Sequence, residues 1–255
     1  MNVSLIGSGN VATVLGRLIK QTGHSIDAII SRNPVSGNSL AEELGAVWLP
    51  SASAELNSEL YIIAVSDTAV AAVADELTGC NALVLHTSGA VSKEVLKPAG
   101  DRYGVLYPLQ SLRKELKTVP VIPFLIDGSS NSATQTISHF AKTLSGFVQQ
   151  AGDAERLKMH LSAVIVSNFT NHLYALAHRY CQAEGLDFNL LHPLIKEVAG
   201  RLALNSAENL QTGPAIRGDG QTIEKHLQLL GEYPSLQSVY QLFSESITGF
   251  YQSPV

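Results

Sequence analysis

Charge is scarce in this 255-residue chain, at 15% of residues. What there is leans acidic: 17 Lys and Arg against 22 Asp and Glu, a net charge of −5. That balance argues against nucleic acid or an anionic membrane as the main partner. The two cysteines, Cys80 and Cys181, show no metal-ligand spacing, so they read as reduced thiols and no metal site is expected. No apolar run reaches the length of a membrane span. Internal repeats and low-complexity tracts are missing. The first strand pattern begins at residue 2 and leaves no room for a signal peptide, so a soluble cytoplasmic protein is the expectation. Hydrophobic residues, at 45%, suffice for one large or two modest domains with a sizeable core.

What is present begins at once. The opening "MNVSLIGSGNVATVLGRLIKQ" runs from a short apolar strand into G-x-G-x-x-A, with Gly7, Gly9 and Ala12 at the marked positions. Gly7 permits a tight turn, Gly9 lets a pyrophosphate approach the backbone, and Ala12 lets the helix pack on the sheet. The helix that follows carries Val11, Val14, Leu15, Leu18 and Ile19 on one face and offers unpaired N–H groups to phosphate. A strand before and a helix after give the motif its context. The expected cofactor contacts are Gly7, Ser8, Gly9, Asn10 and Val11.

An NAD-binding fold of this type places an acid at the end of its second strand, for the ribose hydroxyls. Here Asp27 comes too early, because the strand runs on through Ile29 and Ile30. The strand end carries Ser31, Arg32 and Asn33, a hydroxyl and a guanidinium suited to a 2′-phosphate. NADP is therefore favoured over NAD, with Ser31 and Arg32 as its readers.

Candidate strands are Val3–Ile6, Ile26–Ile30, Val47–Leu49, Leu60–Val65, Ala82–His86, Gly104–Tyr107, Ile122–Leu125 and Phe147–Gln149, with helical patterns such as Ala69–Leu77 and Ala133–Leu144 between them. This alternation predicts an α/β fold, a doubly wound Rossmann-type parallel sheet. From Asp153 to Gly185 there is no Pro and no interior Gly, which predicts one long helix stopped by Gly185. Further helical patterns follow at Leu190–Leu204, Ile223–Leu230 and Leu236–Phe250. The expected division is a dinucleotide-binding domain over 1–150 and an all-helical substrate and dimerisation domain over 151–255.

Ligands of open α/β sheets sit at the carboxyl ends of the strands. There the chain carries Val65, Ser66 and Asp67 in "AVSD", His86, Thr87, Ser88 and Gly89 in "LHTSG", and Tyr107, Gln110 and Ser111 in "YPLQS". Val65, Ser66, Asp67, Thr87 and Ser88 are candidate cofactor contacts, although helix capping explains Asp67 better. His86, Ser88 and Gln110 come from adjacent strand ends and form a candidate pocket wall. In "TGPAIRGDGQTIEKHL", Asp219 is a candidate N-cap, and Arg217 is either part of a well-made turn or a partner for a substrate carboxylate or the cofactor. On the long helix, positions 160, 164, 168 and 172 share a face at α-helical spacing, with His160, Asn168 and His172 as a polar line beside Ser167.

Taken together, "GSGNVA", "AVSD", "LHTSG", "YPLQS", "HLSAVIVSN" and "TGPAIRGD…KHL" span the whole chain in order. In these segments the chain resembles the Rossmann-like proteins with a C-terminal domain of unknown function, labelled NADP oxidoreductases. More distantly it is similar to pyrroline-5-carboxylate reductase and the β-hydroxyacid dehydrogenases. The resemblance implies NADP binding and an intertwined dimer, and supplies no substrate. It also implies His ahead of "PLQS", where this chain has Tyr107. In the hydroxyacid enzymes the long helix carries a catalytic Lys; His160 falls near that place, while Lys158 faces another direction.

Three functions compete. The first is an NADP-dependent oxidoreductase that transfers hydride to a small carbonyl or imine, with or without a carboxylate on the substrate. The second is an NADP-binding sensor or regulatory protein without turnover. A methyltransferase using S-adenosylmethionine fits least, because the long central helix belongs to the dehydrogenases. Reduction of a carbonyl or imine needs a proton donor near neutral pH, the range of histidine. Of eight histidines, His86 and His160 remain as candidates once those in turns and ordinary helical contexts are set aside. The reading selects His160 as general acid, Ser88 and Gln110 as orienting groups and Arg217 as the carboxylate partner. The small-molecule substrate and a homodimer through the helical domain are the expected partners.

Overall fold

The computed structural model describes residues 1–51 and 58–252. Eight strands form one sheet: β1 (Asn2–Ile6), β2 (Ser25–Ile30), β3 (Val47–Leu49), β4 (Leu60–Ile63), β5 (Leu83–His86), β6 (Tyr103–Pro108), β7 (Phe124–Gly128) and β8 (Val148–Gln150). Their order is β3-β2-β1-β4-β5-β6-β7-β8, so the first six follow the Rossmann sequence of strands. Each of the eight apolar runs read from the sequence forms a strand.

The sheet is mostly parallel, as expected of a doubly wound Rossmann-type fold, with one antiparallel pair. β6 and β7 pair antiparallel, Gly104 opposite Gly128 and Pro108 opposite Phe124. β8 then pairs parallel to β7. Parallel neighbours need a crossover, usually a helix. The connection 109–123 forms no helix and carries Pro120 and Pro123, so the chain returns beside the strand it has just left.

Side chains along the strands alternate between two buried layers, the period-two pattern of a sheet covered on both faces. Leu60 and Ile62 of β4 join Val3, Leu5, Ile29, Leu83 and Leu85 against α1 (Asn10–Gln21), α2 (Pro34–Leu44) and α4 (Asn131–Leu144). Tyr61 and Ile63 join Ile6, Ile30 and Val84 against α3 (Val70–Glu76) and the turn holding Leu96 and Ala99. Of the apolar stripe read from the sequence, helix α1 buries Val14, Leu15 and Ile19, with Val11 and Leu18 partly buried against the same core. Helix α2 had no counterpart in that reading, because its apolar face is short. Its end signals are plain: Asn33 Oδ1 accepts from the N–H groups of Val35 and Ser36, Pro34 sits in the first turn, and Gly45 ends it with φ 68°.

The chain divides into two compact units, Met1–Asn168 and Phe169–Val255. The strands end at Gln150, and the helical run begins with α5 (Asp153–Ala163). That run is helical as expected, but not one regular α-helix. A π-helical segment, Val164–Phe169, follows α5, and α6 (Thr170–Ala183) comes after it. The π turns break the 3.6-residue period, so positions 160, 164, 168 and 172 do not form one line. Gly185, with φ 67°, follows the end of α6.

The second unit continues through α7 (His192–Arg201), α8 (Gly220–Leu229) and α9 (Pro234–Gln252). Within it His226 Nδ1 lies 2.7 Å from Tyr240 Oη, and Tyr233 Oη donates to Glu184 at 2.6 Å. Asp219 caps α8 by accepting from Thr222 N, as the sequence suggested. Among its described residues the buried apolar side chains are Cys181, Ala215 and Leu230. Among all described residues, no helix is long and apolar enough to cross a membrane, and no group of three His, Cys, Asp or Glu is placed to hold a metal ion.

Candidate functional site

Strand order reverses between β1 and β4, and a crevice opens outside their carboxyl ends. It is a cleft of about 520 Å³ lined by residues that follow β1, β2 and β4. Gly7, Ser8, Gly9, Asn10 and Val11 form its floor. Gly7 takes φ 124°, a conformation glycine favours, and donates its N–H to Ile30 O at 2.8 Å. Gly9 is the N-cap of α1 and has no side chain to satisfy the helix's first N–H groups. A Cβ built on Gly9 would meet no protein atom within 4 Å, so the open space above it belongs to the cleft. Free amide donors, a helix N-terminus and a bare backbone together fit a pyrophosphate.

One wall is Ser31, Arg32 and Asn33, at the end of β2. Ser31 is engaged: its Oγ donates to Asn33 O at 3.1 Å, and Trp48 Nε1 donates to its carbonyl at 3.1 Å. Asn33 is occupied in capping α2. Arg32 is exposed. Asp27 does not line the cleft; it accepts from Ser58 Oγ at 2.9 Å. The wall thus presents a guanidinium where an NAD site presents a carboxylate. Val65 and Ser66 complete the crevice after β4, and Ala69, Ala72, Val73 and Glu76, not singled out from the sequence, extend it along α3.

The remaining candidates lie elsewhere. Asp67, Thr87 and Ser88 are not among the residues lining the cleft. Asp67 opens a 3-10 turn entered from Ser66 without a side-chain cap. Thr87 Oγ1 donates to Ile63 O at 3.2 Å, tying β5 to β4. Ser88 Oγ accepts from Ala90 N and Val91 N, both at 3.1 Å, and so caps a turn. Gln110 is held by its own loop: Nε2 donates to Val121 O, and Oε1 accepts from Ser111 N. Arg217 is exposed in the second unit.

The two histidines separate cleanly. His86 is fully buried at the end of β5 and accepts from Ser88 N at Nδ1 (3.2 Å). Its Nε2 is buried without a hydrogen-bond partner among the described residues. Burial, reinforced by the Arg156 guanidinium, pushes its pKa down to about 4; the Ser92 backbone, Asp153 and Asp67 pull weakly the other way. It is therefore neutral and inaccessible. His160 on α5 is only partly buried, and its Nδ1 lies 2.8 Å from Tyr107 Oη. Its ring fits because residue 89 is glycine: a Cβ there would stand 2.7 Å from His160 Cγ.

Beneath this pair the structure places a group that sequence reasoning missed. Arg156 is 1% exposed, with Nη2 donating to Val91 O and, at 2.8 Å, to Asp153 Oδ1. Burial alone would raise the Asp153 carboxyl, but hydrogen bonds from Ser92 and Arg156 outweigh it and hold the pKa low. The available signal was the spacing: Arg156 stands four residues before His160, on the same helical face.

Comparison with known proteins accords with this geometry. A Rossmann-like domain model matches residues 1–110, and the model of a domain of unknown function, DUF2520, matches residues 122–247. No curated protein matches the chain. The crystal structure of the "putative NADP oxidoreductase" of Bacteroides fragilis superimposes with a TM-score of 0.90 at 36% identity, over 97% of both chains. An imine reductase from Myxococcus stipitatus, in complex with NADP+, gives 0.67 at 15% identity over 99% of this chain and 93% of its own. A 1-pyrroline-5-carboxylate reductase from Streptococcus pyogenes gives 0.66 at 14% identity over 98% of both. The last two likenesses are of fold. The first spans both domains at substantial identity, and the chain belongs to the Rossmann-like proteins that continue into the DUF2520 domain.

Proposed function

We propose that the protein is an NADP-dependent oxidoreductase acting on a small carbonyl or imine compound. The observation that carries this reading is the cleft: bare Gly9 backbone and the α1 N-terminus on its floor, and exposed Arg32 on its wall. The α1 amides would hold the pyrophosphate, and Arg32 with Ser31 the 2′-phosphate. When bound, the nicotinamide supplies a hydride. The chain's own task is then to deliver a proton, and His160 is the accessible candidate, since His86 is buried and neutral. The names of the similar structures support the class: one NADP oxidoreductase and one imine reductase holding NADP+.

A homodimer formed through the helical unit belongs to the same reading. Leu204 is 82% exposed, Leu190 78% and Leu194 58%, while that unit buries few apolar side chains of its own. Large apolar side chains left this exposed on a unit with so small a core support association with a second copy.

A sensor without turnover is the second reading. It is favoured by Ser88 and Gln110, whose side chains are engaged with their own loops. The deciding experiment is a thermal-shift comparison of NADPH and NADH, followed by NADPH oxidation against a panel of cyclic imines and small carbonyls. At a hundredfold excess over Kd, NADPH should add roughly 2.7 kcal/mol of stability and raise Tm by about 5 °C or more. No shift with either nucleotide would overturn the reading. A shift without turnover of any panel member would favour the sensor.

A further inference from the structure

His160 is met by a second titratable side chain, one that the sequence reading left without a role. Tyr107 Oη lies 2.8 Å from His160 Nδ1, with the rings edge to face at 81° and centroids 5.7 Å apart. The contact is built from three directions. Tyr107 stands near the end of β6, paired with Leu125 of β7. Gly89 leaves the space that the imidazole fills. Arg156, one turn before His160, anchors that part of α5 to Val91 and Asp153. Nε and Nη1 of this buried guanidinium have no hydrogen-bond partner among the described residues.

The direction of the Tyr107–His160 bond follows from the chemistry of the partners. A phenol keeps its proton at neutral pH, and burial pushes Tyr107 further up. Tyr107 thus has a proton to give, and the arrangement inferred here is the one in which Tyr107 donates and Nδ1 accepts. A neutral imidazole that accepts at Nδ1 carries its proton on Nε2. We propose that Tyr107 is a positioning residue: its hydroxyl holds His160 in the Nε2–H tautomer and refills the ring at Nδ1 when Nε2 gives its proton away.

The step balances. The Nε2–H bond breaks and the proton passes to the nitrogen or oxygen of the substrate. The Tyr107 O–H bond breaks and its proton joins Nδ1, so the ring stays neutral and the negative charge rests on Tyr107 Oη. A solvent proton then restores the phenol. The charged groups acting on that oxygen are Arg156, which favours the phenolate, and Asp67, which opposes it. Asp153 is the ion-pair partner of Arg156, and His86, being neutral, adds no further charge. The buried guanidinium thus stands as counter-charge to the transient phenolate. Replacing the histidine implied ahead of "PLQS" by Tyr107 retains a proton-bearing group at that place.

This inference rests on the reading of His160 as proton donor, and its test separates the two. The full chain, labelled with 15N in its histidine rings, is examined by NMR near pH 8, with His160 assigned by loss of its signals in His160→Gln. Wild type should show an accepting Nδ1 and a protonated Nε2. A protonated Nδ1 in wild type overturns the proposal with no variant needed. Tyr107→Phe should shift His160 toward a mixture of tautomers; ring signals identical to wild type would also overturn it. With a substrate from the NADPH panel, Tyr107→Phe should lower kcat at least roughly tenfold at unchanged KM for NADPH. An unchanged kcat overturns the refilling step. If wild type turns over nothing, the proposed function fails, while the ring-nitrogen measurement still decides the tautomer.

Discussion

Gly7 and Ala64 approach so closely that a Cβ on Gly7 would stand 2.2 Å from the Ala64 carbonyl oxygen. β1 and β4 are neighbours in the sheet, and the chain leaving β1 must turn directly over the end of β4 to bring α1 to the cleft. With φ 124° at the same residue, a side chain is excluded twice. Gly7→Ala should cost upward of about 2 kcal/mol, measured by urea unfolding, and abolish the NADPH-induced thermal shift. A variant as stable as wild type would contradict the close approach.

Arg32 is exposed on the cleft wall, and Asp27 is engaged with Ser58. Arg32→Ala should weaken NADPH by about 1.5–3 kcal/mol, the range of a charge-assisted contact, and leave NADH little changed. Calorimetric titration of both nucleotides is the check. Equal losses would remove Arg32 as reader of the 2′-phosphate.

The His86 imidazole has a folded pKa of about 4, against 6.5 in the unfolded chain. Between those values the unfolded state binds more protons, so stability rises with pH. The contribution is fully present above pH 6.5 and is lost as the pH falls through 6.5 toward 4, about 3 kcal/mol in all. His86→Leu should flatten this part of the stability–pH curve in urea titrations between pH 4 and pH 7. An acid limb of wild-type slope in that variant would assign it to other groups.

His160→Ala should reduce turnover about 10²–10⁴-fold on a substrate of the NADPH panel, with NADPH affinity unchanged. The side chain is not among the residues lining the cleft proposed for the nucleotide, so binding and chemistry are expected to be separable. Full activity would take the role of proton donor away from His160, and burial leaves His86 a poor substitute.

The exposed leucines of the helical unit predict association. Light scattering at micromolar concentration should give twice the chain mass of 27.2 kDa. Charged substitutions at Leu190 and Leu204, 78% and 82% exposed, should shift the protein toward monomer. A stable monomer in the unaltered chain would refute the dimer.

Much of the cleft at the ends of β1, β2 and β4 was legible in the sequence. Strand periodicity, the glycine turn and the missing acid after Ile30 are local features, each set by a few consecutive residues. The eight strands and the position of Arg32 follow from them. Helix α2 was equally local, but its signal lies in its caps, Asn33 and Gly45, and not in an apolar stripe. Other features were decided by contacts between distant residues. The reversal of β7 depends on how the segment 109–123 returns across the sheet edge. The π turns at Val164–Phe169 shift a face that α-helical spacing alone draws as one line.

The proton-bearing pair shows the division most clearly. Residue type narrowed the histidines to His86 and His160, and the family resemblance favoured His160 and marked Tyr107 as a departure. The sequence carried no information that Tyr107 and His160, 53 residues apart, share a hydrogen bond, or that Arg156 is buried beside them. A side chain's periodicity states which way it points from its own helix or strand. Whether a charge there meets water, a carboxylate or a phenol is set by which elements close over it, and only the folded chain brings β5, β6 and α5 together.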